Sequence, residues 1–197
     1  MTWNDWLFWQ INHSSDAAAP TMHFFSEAIS YPWVRVLLVA LIVGMIWRGA
    51  RSRAAAIQAL LAVAVANGLT DLFKLFWPEP RPYQQLSDAL LHTQGHAAGS
   101  MLGMANSNFG TASAHSANMA AIACVFCLRL RWWGTPWVFV ALLTGYSRIY
   151  LAAHYPYQVL LGYGCGCLAA AAVTQTWDLA ARRRAYNRRS LEAGTMD

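Results

Sequence analysis

The hydrophobic positions of this chain occur in long runs that contain no charged residue. Four such runs lack Asp, Glu, Lys and Arg: residues 54–70, 101–128, 132–147 and 149–177. A shorter apolar run lies between Arg35 and Arg48. The runs are apolar on all sides, whereas a helix at the surface of a soluble protein has a polar face with helical periodicity. Because about 20 mostly apolar residues are needed to cross a bilayer as a helix, the pattern predicts transmembrane helices.

We therefore predict an all-α fold, a polytopic membrane helix bundle of about five transmembrane helices preceded by interfacial helices. The predicted spans are residues 31–48, 54–76, 112–129, 134–152 and 156–178. Residues 1–30 mix aromatic and polar side chains, which is typical of segments at the headgroup level. Residues 77–110, rich in proline and glycine, predict an extracytoplasmic loop. The chain, residues 1–197, is expected to form a single membrane-embedded domain with a basic tail at residues 179–197.

Composition supports a membrane protein. The 197 residues are 57% hydrophobic and 12% charged, far from the average of soluble domains. A large soluble protein with buried helices is the alternative, but the uncharged runs would leave its surface without polar faces. All cysteines fall in predicted spans, which favours small buried thiols over a zinc or redox site. They are Cys124, Cys127, Cys165 and Cys167.

The cationic residues are distributed asymmetrically between the ends of the predicted spans. Arginines follow the first, third and fifth spans, which end on one side of the membrane: Arg48, Arg51, Arg53, Arg129, Arg131, Arg182, Arg183, Arg184, Arg188 and Arg189. The positive-inside rule predicts that these ends and the C-terminus are cytoplasmic. A basic rim against anionic lipid accounts for the formal charge of +5 without a nucleic acid. An RNA-binding arginine tail is the alternative.

Three cations lie on the other side of the membrane, where the same rule disfavours them. Lys74, Arg81 and Arg148 occur at the outer ends of spans or in the outer loop. An anion bound on that side would supply them with a partner. Asp71, three residues before Lys74, shares its helix face and predicts a local ion pair that positions the lysine.

These cations belong to three sequence blocks that suit phosphate chemistry. The blocks are Lys74-Leu-Phe-Trp-Pro-Glu-Pro-Arg81-Pro82, Ala112-Ser113-Ala114-His115, and Ser147-Arg148-Ile-Tyr-Leu-Ala-Ala-His154. Fixed cations, a hydroxyl and the amides at a helix N-terminus match the spread negative charge of a phosphoryl group. The two histidines add a nucleophile and a proton carrier, with an unperturbed pKa near ~6.5.

In order and spacing, the blocks resemble the motifs of the type 2 phosphatidic acid phosphatase (PAP2) superfamily, which is related to bacterial acid phosphatases and vanadium haloperoxidases. The family pattern is K-x6-R-P, then P-S-G-H, then S-R-x5-H-x3-D. The matching residues are Lys74, Arg81, Pro82, Ser113, His115, Ser147, Arg148 and His154. The resemblance covers residues 74–158 by motif and nearly the whole chain by layout.

The resemblance implies a phosphatase that forms a phosphohistidine. His154 would be the nucleophile, and His115 would protonate the leaving oxygen and then activate water. The groups implied to hold the phosphate oxygens are Lys74, Arg81, Ser113, Arg148 and the backbone amide of Ala114. No metal or cofactor is expected, because protein cations take the role that Mg²⁺ has in other phosphoryl-transfer sites. A zinc site from His115 and His154 is the alternative, although it lacks nearby Cys or acidic ligands.

Three positions depart from the family pattern. Ala112 for Pro and Ala114 for Gly keep small residues at a helix start, so they change geometry more than chemistry. Gln158 replaces the Asp that in the family orients the nucleophilic histidine and stabilises its positive charge. The amide oxygen can accept a hydrogen bond from the ring but carries no charge. The enzyme is then slower than its relatives, or Asp71 or Glu79 compensates, or turnover is lost.

The position of the site favours a lipid substrate. Because the site lies at the outer ends of the spans, it can bind the phosphate of a lipid anchored in the outer leaflet. The stretch from Leu142 to Tyr150, followed by His154-Tyr-Pro, most resembles bacterial undecaprenyl-diphosphate phosphatases of the inner membrane. Undecaprenyl diphosphate is the expected substrate; phosphatidylglycerophosphate, phosphatidate and lipid A 1-phosphate are alternatives. A lipid phosphotransferase and a catalytically weakened lipid-binding homologue are alternatives of other classes. The sequence predicts no oligomeric state.

Overall fold

The computed structural model describes residues 2–86, 88–89 and 109–194, and this part of the chain is helical with no β-strand. Most of the predicted loop 77–110 therefore lies outside the described residues. Eight α-helices are present in the described part: α1 (Trp3–Asn12), α2 (Ala19–Glu27), α3 (Pro32–Arg48), α4 (Ala50–Phe76), α5 (Pro82–Gln85), α6 (Ala114–Leu130), α7 (Thr135–Tyr150) and α8 (Pro156–Gly194). The predicted all-α class is confirmed.

Local signals explain where several helices begin. Proline occupies the first turn of α3, α5 and α7, where the missing N–H would have no intrahelical partner. Ser113 caps α6 by accepting a hydrogen bond from the Ser116 amide. Gly49 alone joins α3 to α4, and its φ of 144° is open to glycine but strained for other residues. The short link makes α3 and α4 neighbours.

The centre of the bundle is built from small residues. Helix α6 packs against α4, α7 and α8, and α4 also packs against α8. A Cβ atom at Gly162 would lie 2.5 Å from the Ser113 carbonyl oxygen, and one at Gly166 would lie 2.2 Å from the Ala117 oxygen. This G-x-x-x-G pair lets the backbones of α6 and α8 approach closely, as small residues do in membrane bundles. It thereby holds the N-terminus of α6 against α8.

The outer surface of the bundle is apolar, as expected for helices in lipid. Large side chains such as Leu60, Leu72 and Leu168 are at least half exposed. Within the described residues, α4 and α8 are long and apolar enough to cross a membrane, and the bent pair Asp16–Ser30 and Pro32–Arg48 could form a third crossing. Helices α6 and α7, with 17 and 16 residues, complete the bundle. The membrane bundle is confirmed, and the count of five spans stays a prediction.

The first and last helices of the described part show two features that the sequence did not predict. Helix α8 continues to Gly194, past the predicted end of the span, because residues 179–192 hold no proline or glycine to stop it. Helices α1 and α2 pack against α7. The Asn12 side chain donates to the Tyr150 carbonyl (2.8 Å), and Phe8 contacts Tyr155. The N-terminal segment therefore covers the end of α7 that leads to His154.

The opposite end of the bundle is tied together by one arginine. The guanidinium of Arg129 donates to Gln58 of α4 (2.8 Å) and to Asp178 of α8 (2.9 Å). It also donates to the Thr174 carbonyl (3.0 Å), and Arg51 donates to the carbonyl of Arg129 (2.6 Å). We call this the arginine end; the end where α4 and α7 stop and α6 begins is the site end.

Candidate active site

Two loop segments run side by side at the site end. The Gly110 amide donates to the Glu79 carbonyl (2.7 Å), and the Glu79 amide donates to the Thr111 hydroxyl (3.1 Å). That hydroxyl in turn donates to the Trp77 carbonyl. A Cβ atom on Gly110 would lie 2.8 Å from the Cγ atom of Arg81, so only glycine fits here. The pairing fixes the Gly110 carbonyl and the backbone next to Arg81.

A tight turn after α7 brings His154 back to Arg148. The Ala152 amide donates to the Ile149 carbonyl, and the amides of Ala153 and His154 both donate to the Arg148 carbonyl (3.0 and 3.1 Å). This is the Schellman arrangement, with Ala152 in the left-handed region at φ 53°. The strain of a non-glycine residue there is of the order of 1 kcal/mol. The turn explains why five residues separate the arginine from the histidine in the motif.

His154 is buried, and its ring is held in one tautomer. Its Nδ1 atom lies 3.0 Å from the Gly110 carbonyl oxygen and 3.3 Å from Oε1 of Gln158. Both neighbours are acceptors, so Nδ1 carries the hydrogen and donates it. The lone pair then resides on Nε2, the nitrogen that is free to attack or accept a proton.

The orientation of the Gln158 amide follows from its other contacts. Its Oε1 accepts a hydrogen bond from the Tyr155 amide (3.1 Å), half of a capping box at the start of α8. Its Nε2 donates to the Tyr157 hydroxyl (3.0 Å) and to the Pro80 carbonyl (3.4 Å). Gln158 is fully buried. The residue that replaces the family's Asp therefore caps the helix and accepts from His154.

The surroundings hold the pKa of His154 well below its usual value. Burial is the largest cause, followed by the positive charges of Arg148 and Arg81, while the hydrogen bond to Gly110 opposes the shift. The ring is therefore neutral at physiological pH. In the described part, His154 donates to no carboxylate, so neither Asp71 nor Glu79 replaces the missing Asp by direct contact.

Arg81 is buried in the loop beside His154. Its guanidinium lies 3.4 Å from the Ala153 carbonyl and 3.5 Å from the Phe109 carbonyl. Its amide donates to the Gln84 side chain (2.9 Å), which fixes the start of α5. Burial lowers the pKa of Arg81 below its usual value.

Arg148 is buried on α7, and a hydrogen bond to the N-terminal segment holds its side chain in place. One terminal nitrogen donates to the Ser26 hydroxyl of α2 (2.5 Å), and Glu27 lies within electrostatic reach. The Nε–H of Arg148 is buried and makes no hydrogen bond to any residue within 2–86, 88–89 and 109–194. An unsatisfied buried donor on a cation is costly, so an anion at this position would stabilise the site.

Lys74, Arg81 and Arg148 all lie within electrostatic reach of His115, which is exposed at the mouth of the site. Lys74 also forms the ion pair predicted with Asp71 (3.0 Å). The predicted cations and both histidines are thus brought to one place.

Ser113 joins this group through the N-terminus of α6. It is fully buried, and its amide donates to the Gln158 carbonyl (3.0 Å). Its Oγ accepts from the Ser116 amide and hydroxyl, so its own O–H can donate to another group. The Ala114 amide, in the first turn of α6, has no intrahelical acceptor. This helix start therefore presents two donors suited to a phosphate.

Two contributors to the site were missed by the sequence reasoning. Ser26 carries no motif and is 122 residues away from Arg148 along the chain. Gly110 acts through its backbone carbonyl, which a side-chain motif does not encode. The signal available for both was indirect, since a buried arginine and a buried histidine each require a hydrogen-bond partner.

Metal ligands and cysteines were the other groups considered as sources of chemistry. The described residues contain no group of three or more His, Cys, Asp or Glu side chains that could hold a metal ion. All four cysteines are free thiols, and Cys165 is buried whereas Cys167 is exposed on the outer surface. The prediction of buried thiols therefore holds for Cys165 but not for Cys167, while Cys124 and Cys127 are half-buried.

Comparisons with known proteins agree with this arrangement. The PAP2 superfamily model matches residues 55–182, well over half of the chain, and this range includes every predicted site residue. The crystal structure of Aquifex aeolicus LpxE is similar in fold, with a TM-score of 0.69 and 23% identity over 89% of this chain and 96% of that chain. No curated protein matches the sequence. The chain therefore belongs to the PAP2 superfamily, as a phosphatase built on a bundle of membrane helices.

Proposed function

We propose that the protein is a membrane lipid phosphatase that hydrolyses a phosphate monoester or diphosphate through a phosphohistidine on His154. The observation that carries the proposal is the state of His154: buried, neutral and hydrogen-bonded through Nδ1, with the Nε2 lone pair free. Two buried arginines stand beside it, and one of them has an unsatisfied donor. A neutral nucleophile among fixed cations suits attack on a phosphate anion.

In the first step, Nε2 of His154 attacks phosphorus and the bond from phosphorus to the lipid oxygen breaks. His115 enters this step protonated, a form that the negative charge of the bound phosphate favours, and gives its proton to that oxygen, so the lipid leaves as a neutral alcohol or as a shorter phosphate. In the second step, His115 accepts a proton from water, which attacks phosphorus and breaks the P–N bond. Inorganic phosphate leaves and His154 regains its lone pair.

The remaining groups stabilise negative charge on the phosphate oxygens. They are the side chains of Lys74, Arg81, Ser113 and Arg148 and the backbone amide of Ala114. Fixed cations and amides of this kind lower the barrier because they are oriented before the reaction begins. We propose that they make the reaction independent of a metal ion.

In this proposal Gln158 limits the rate of phosphoenzyme formation. Replacing its side-chain amide with a carboxylate tests that role. Aspartate is shorter by one methylene and loses contacts with Tyr155 and Tyr157, so Gln158→Glu is the better variant. We expect phosphoenzyme formation about tenfold faster, because the carboxylate stabilises the cationic ring after attack. The measurement is single-turnover phosphorylation by rapid quench, with Gln158→Asp as the shorter control.

The pH profile gives a second test of the same variant. His154 must be neutral to attack, and its pKa is lowered, so the acid limb of the profile begins only when the pH drops below that lowered value. A carboxylate at position 158 raises the pKa of His154 and moves the acid limb of kcat/KM to higher pH. An unmoved acid limb together with slower phosphorylation in Gln158→Glu would contradict the role given to Gln158.

We propose undecaprenyl diphosphate as the substrate. The proposal rests on the resemblance of residues 142–150 and 154–156 to undecaprenyl-diphosphate phosphatases and on a site at the ends of apolar helices. Phosphatidylglycerophosphate, phosphatidate and lipid A 1-phosphate are the competing lipids. We also propose that the site faces outward from the inner membrane, because the arginine end carries the positive charge expected for the cytoplasmic side.

A substrate panel tests this assignment. Purified protein in detergent is assayed for phosphate release from each of the four lipids and from a soluble sugar phosphate. We expect undecaprenyl diphosphate to have the highest kcat/KM, with the soluble phosphate at least about a hundredfold lower, because lipid binding contributes to the transition state. Equal use of the soluble compound would overturn the lipid assignment. Little phosphate release without an acceptor, together with transfer of the phosphate to an added acceptor lipid, would indicate a phosphotransferase.

A further inference from the structure

A groove at the arginine end lies between α3, α4, α6 and α7. Helix α3 packs mainly on α4 and has only Met45 fully buried; Leu38 and Ile42 are half-buried, and most of its other apolar side chains are exposed. A narrow apolar cavity of about 70 Å³ runs between these helices. It is lined by side chains that include Leu38, Ile42, Leu60, Val63, Ile122 and Phe126.

This cavity adjoins a wider one of about 310 Å³ at the arginine end. Four residues line both: Leu41, Met45, Phe126 and Trp137. The wider cavity adds Arg48, Arg51, Ser52, Leu130 and Trp133, and no acidic side chain of the described residues lines it. The groove therefore changes along its length from purely apolar to cationic.

The two arginines are available to a ligand. Arg48 is exposed and makes no hydrogen bond or ion pair with the described residues, and Arg51 uses only Nε, to the carbonyl of Arg129. The nearby carboxylate of Asp178 is bound to Arg129. The positive charge at the mouth of the groove is therefore not neutralised by any of the described residues.

We propose that this groove is a binding site for one anionic phospholipid from the leaflet at the arginine end. An acyl chain lies along the apolar part, and the phosphate lies between Arg48 and Arg51. Trp133 occupies the boundary between headgroup and acyl chain, where its ring meets both wet and apolar surroundings. The positive-inside rule accounts for arginines at this end, but not for their convergence on an apolar groove that a lipid can fill.

The lipid would act as a structural ligand, distant from the phosphate site at the other end of the helices. By filling the space between α3 and the core, it stabilises the folded protein in proportion to its affinity. A zwitterionic lipid brings a positive group toward the same arginines and binds more weakly. The specificity is thus for net negative charge combined with an acyl chain.

The test compares phosphatidylglycerol with phosphatidylcholine on delipidated full-length protein, using native mass spectrometry and thermal unfolding. We expect about tenfold or greater preference for phosphatidylglycerol, since each cation near the headgroup contributes to binding. Arg48→Ala and the double change Arg48→Ala with Arg51→Ala should lose that preference. Arg182→Ala with Arg183→Ala, on the exposed part of α8, should retain it.

Other outcomes would overturn the proposal. Equal loss of preference in the α8 variant would indicate general attraction of lipid to a basic rim. Equal stabilisation by inorganic phosphate would indicate an anion site that does not use the groove. Because Arg48 lies outside the phosphatase site, Arg48→Ala is expected to keep wild-type phosphate release in detergent. The lipid-binding test itself does not depend on the proposed function.

Discussion

Replacing His154 with alanine is expected to lower phosphate release at least about 10³-fold, because the reaction loses the atom that attacks phosphorus. The arginines would still bind substrate, so the loss appears in kcat more than in KM. The measurement is steady-state phosphate release from the best lipid of the panel. His13→Ala is the matched control, since His13 is exposed and stacks on Trp9 away from the reacting group.

A second variant separates lost chemistry from lost folding. The amide nitrogen of asparagine can take the place of Nδ1 and donate to the Gly110 carbonyl, so His154→Asn keeps the buried hydrogen bond. We expect it to elute as a folded protein and to be as inactive as His154→Ala. Substantial phosphate release by either variant would remove His154 from the proposed mechanism.

Arg148→Ala is expected to lower kcat/KM by about 10² to 10³, the usual cost of removing a fixed donor from a developing negative charge. Arg148→Lys should restore little, because an ammonium group cannot present the same fork to two oxygens. Arg35→Ala is the control, as Arg35 is an exposed cation on α3 whose side chain makes no hydrogen bond or ion pair with the described residues. The measurement is kcat/KM for the lipid substrate.

Replacing Ser26 tests the role of Arg148 with a smaller expected effect. Its hydroxyl holds one nitrogen of Arg148, so Ser26→Ala should loosen the guanidinium and lower kcat/KM by about tenfold. The effect should vanish when Arg148 is already alanine, because the serine acts through the arginine. A full tenfold effect of Ser26→Ala in that background would show a separate role for the serine.

The pattern of uncharged runs predicted the helices well, and the differences have physical causes. Helix α3 was expected at residues 31–48 and spans Pro32–Arg48. Helix α4 begins at Ala50 and not at residue 54, because Arg51 and Arg53 are good helix formers that a charge criterion excludes. Helix α7 ends at Tyr150 and not at residue 152, because the turn with Ala152 at positive φ terminates it.

The site could be predicted only as far as side chains encode it. Motif spacing located the two histidines and the cations, and the structure brings them together. The backbone carbonyl of Gly110 could not be predicted, since its position depends on the pairing of two loop segments. The family pattern showed that Gln158 stands where relatives have an Asp. Its hydrogen bonds with the Tyr155 amide and the Tyr157 hydroxyl depend on the fold and could not be predicted.

The most direct test of the central claim is to trap the covalent intermediate. The protein is mixed with substrate labelled at the phosphorus to be transferred, quenched in alkali, in which phosphohistidine is stable, and digested for mass spectrometry. We expect one phosphate on the peptide that contains His154, and none on the same peptide from His154→Asn. Rapid turnover by protein that carries no phosphate on His154, or carries it on His115, would contradict the account.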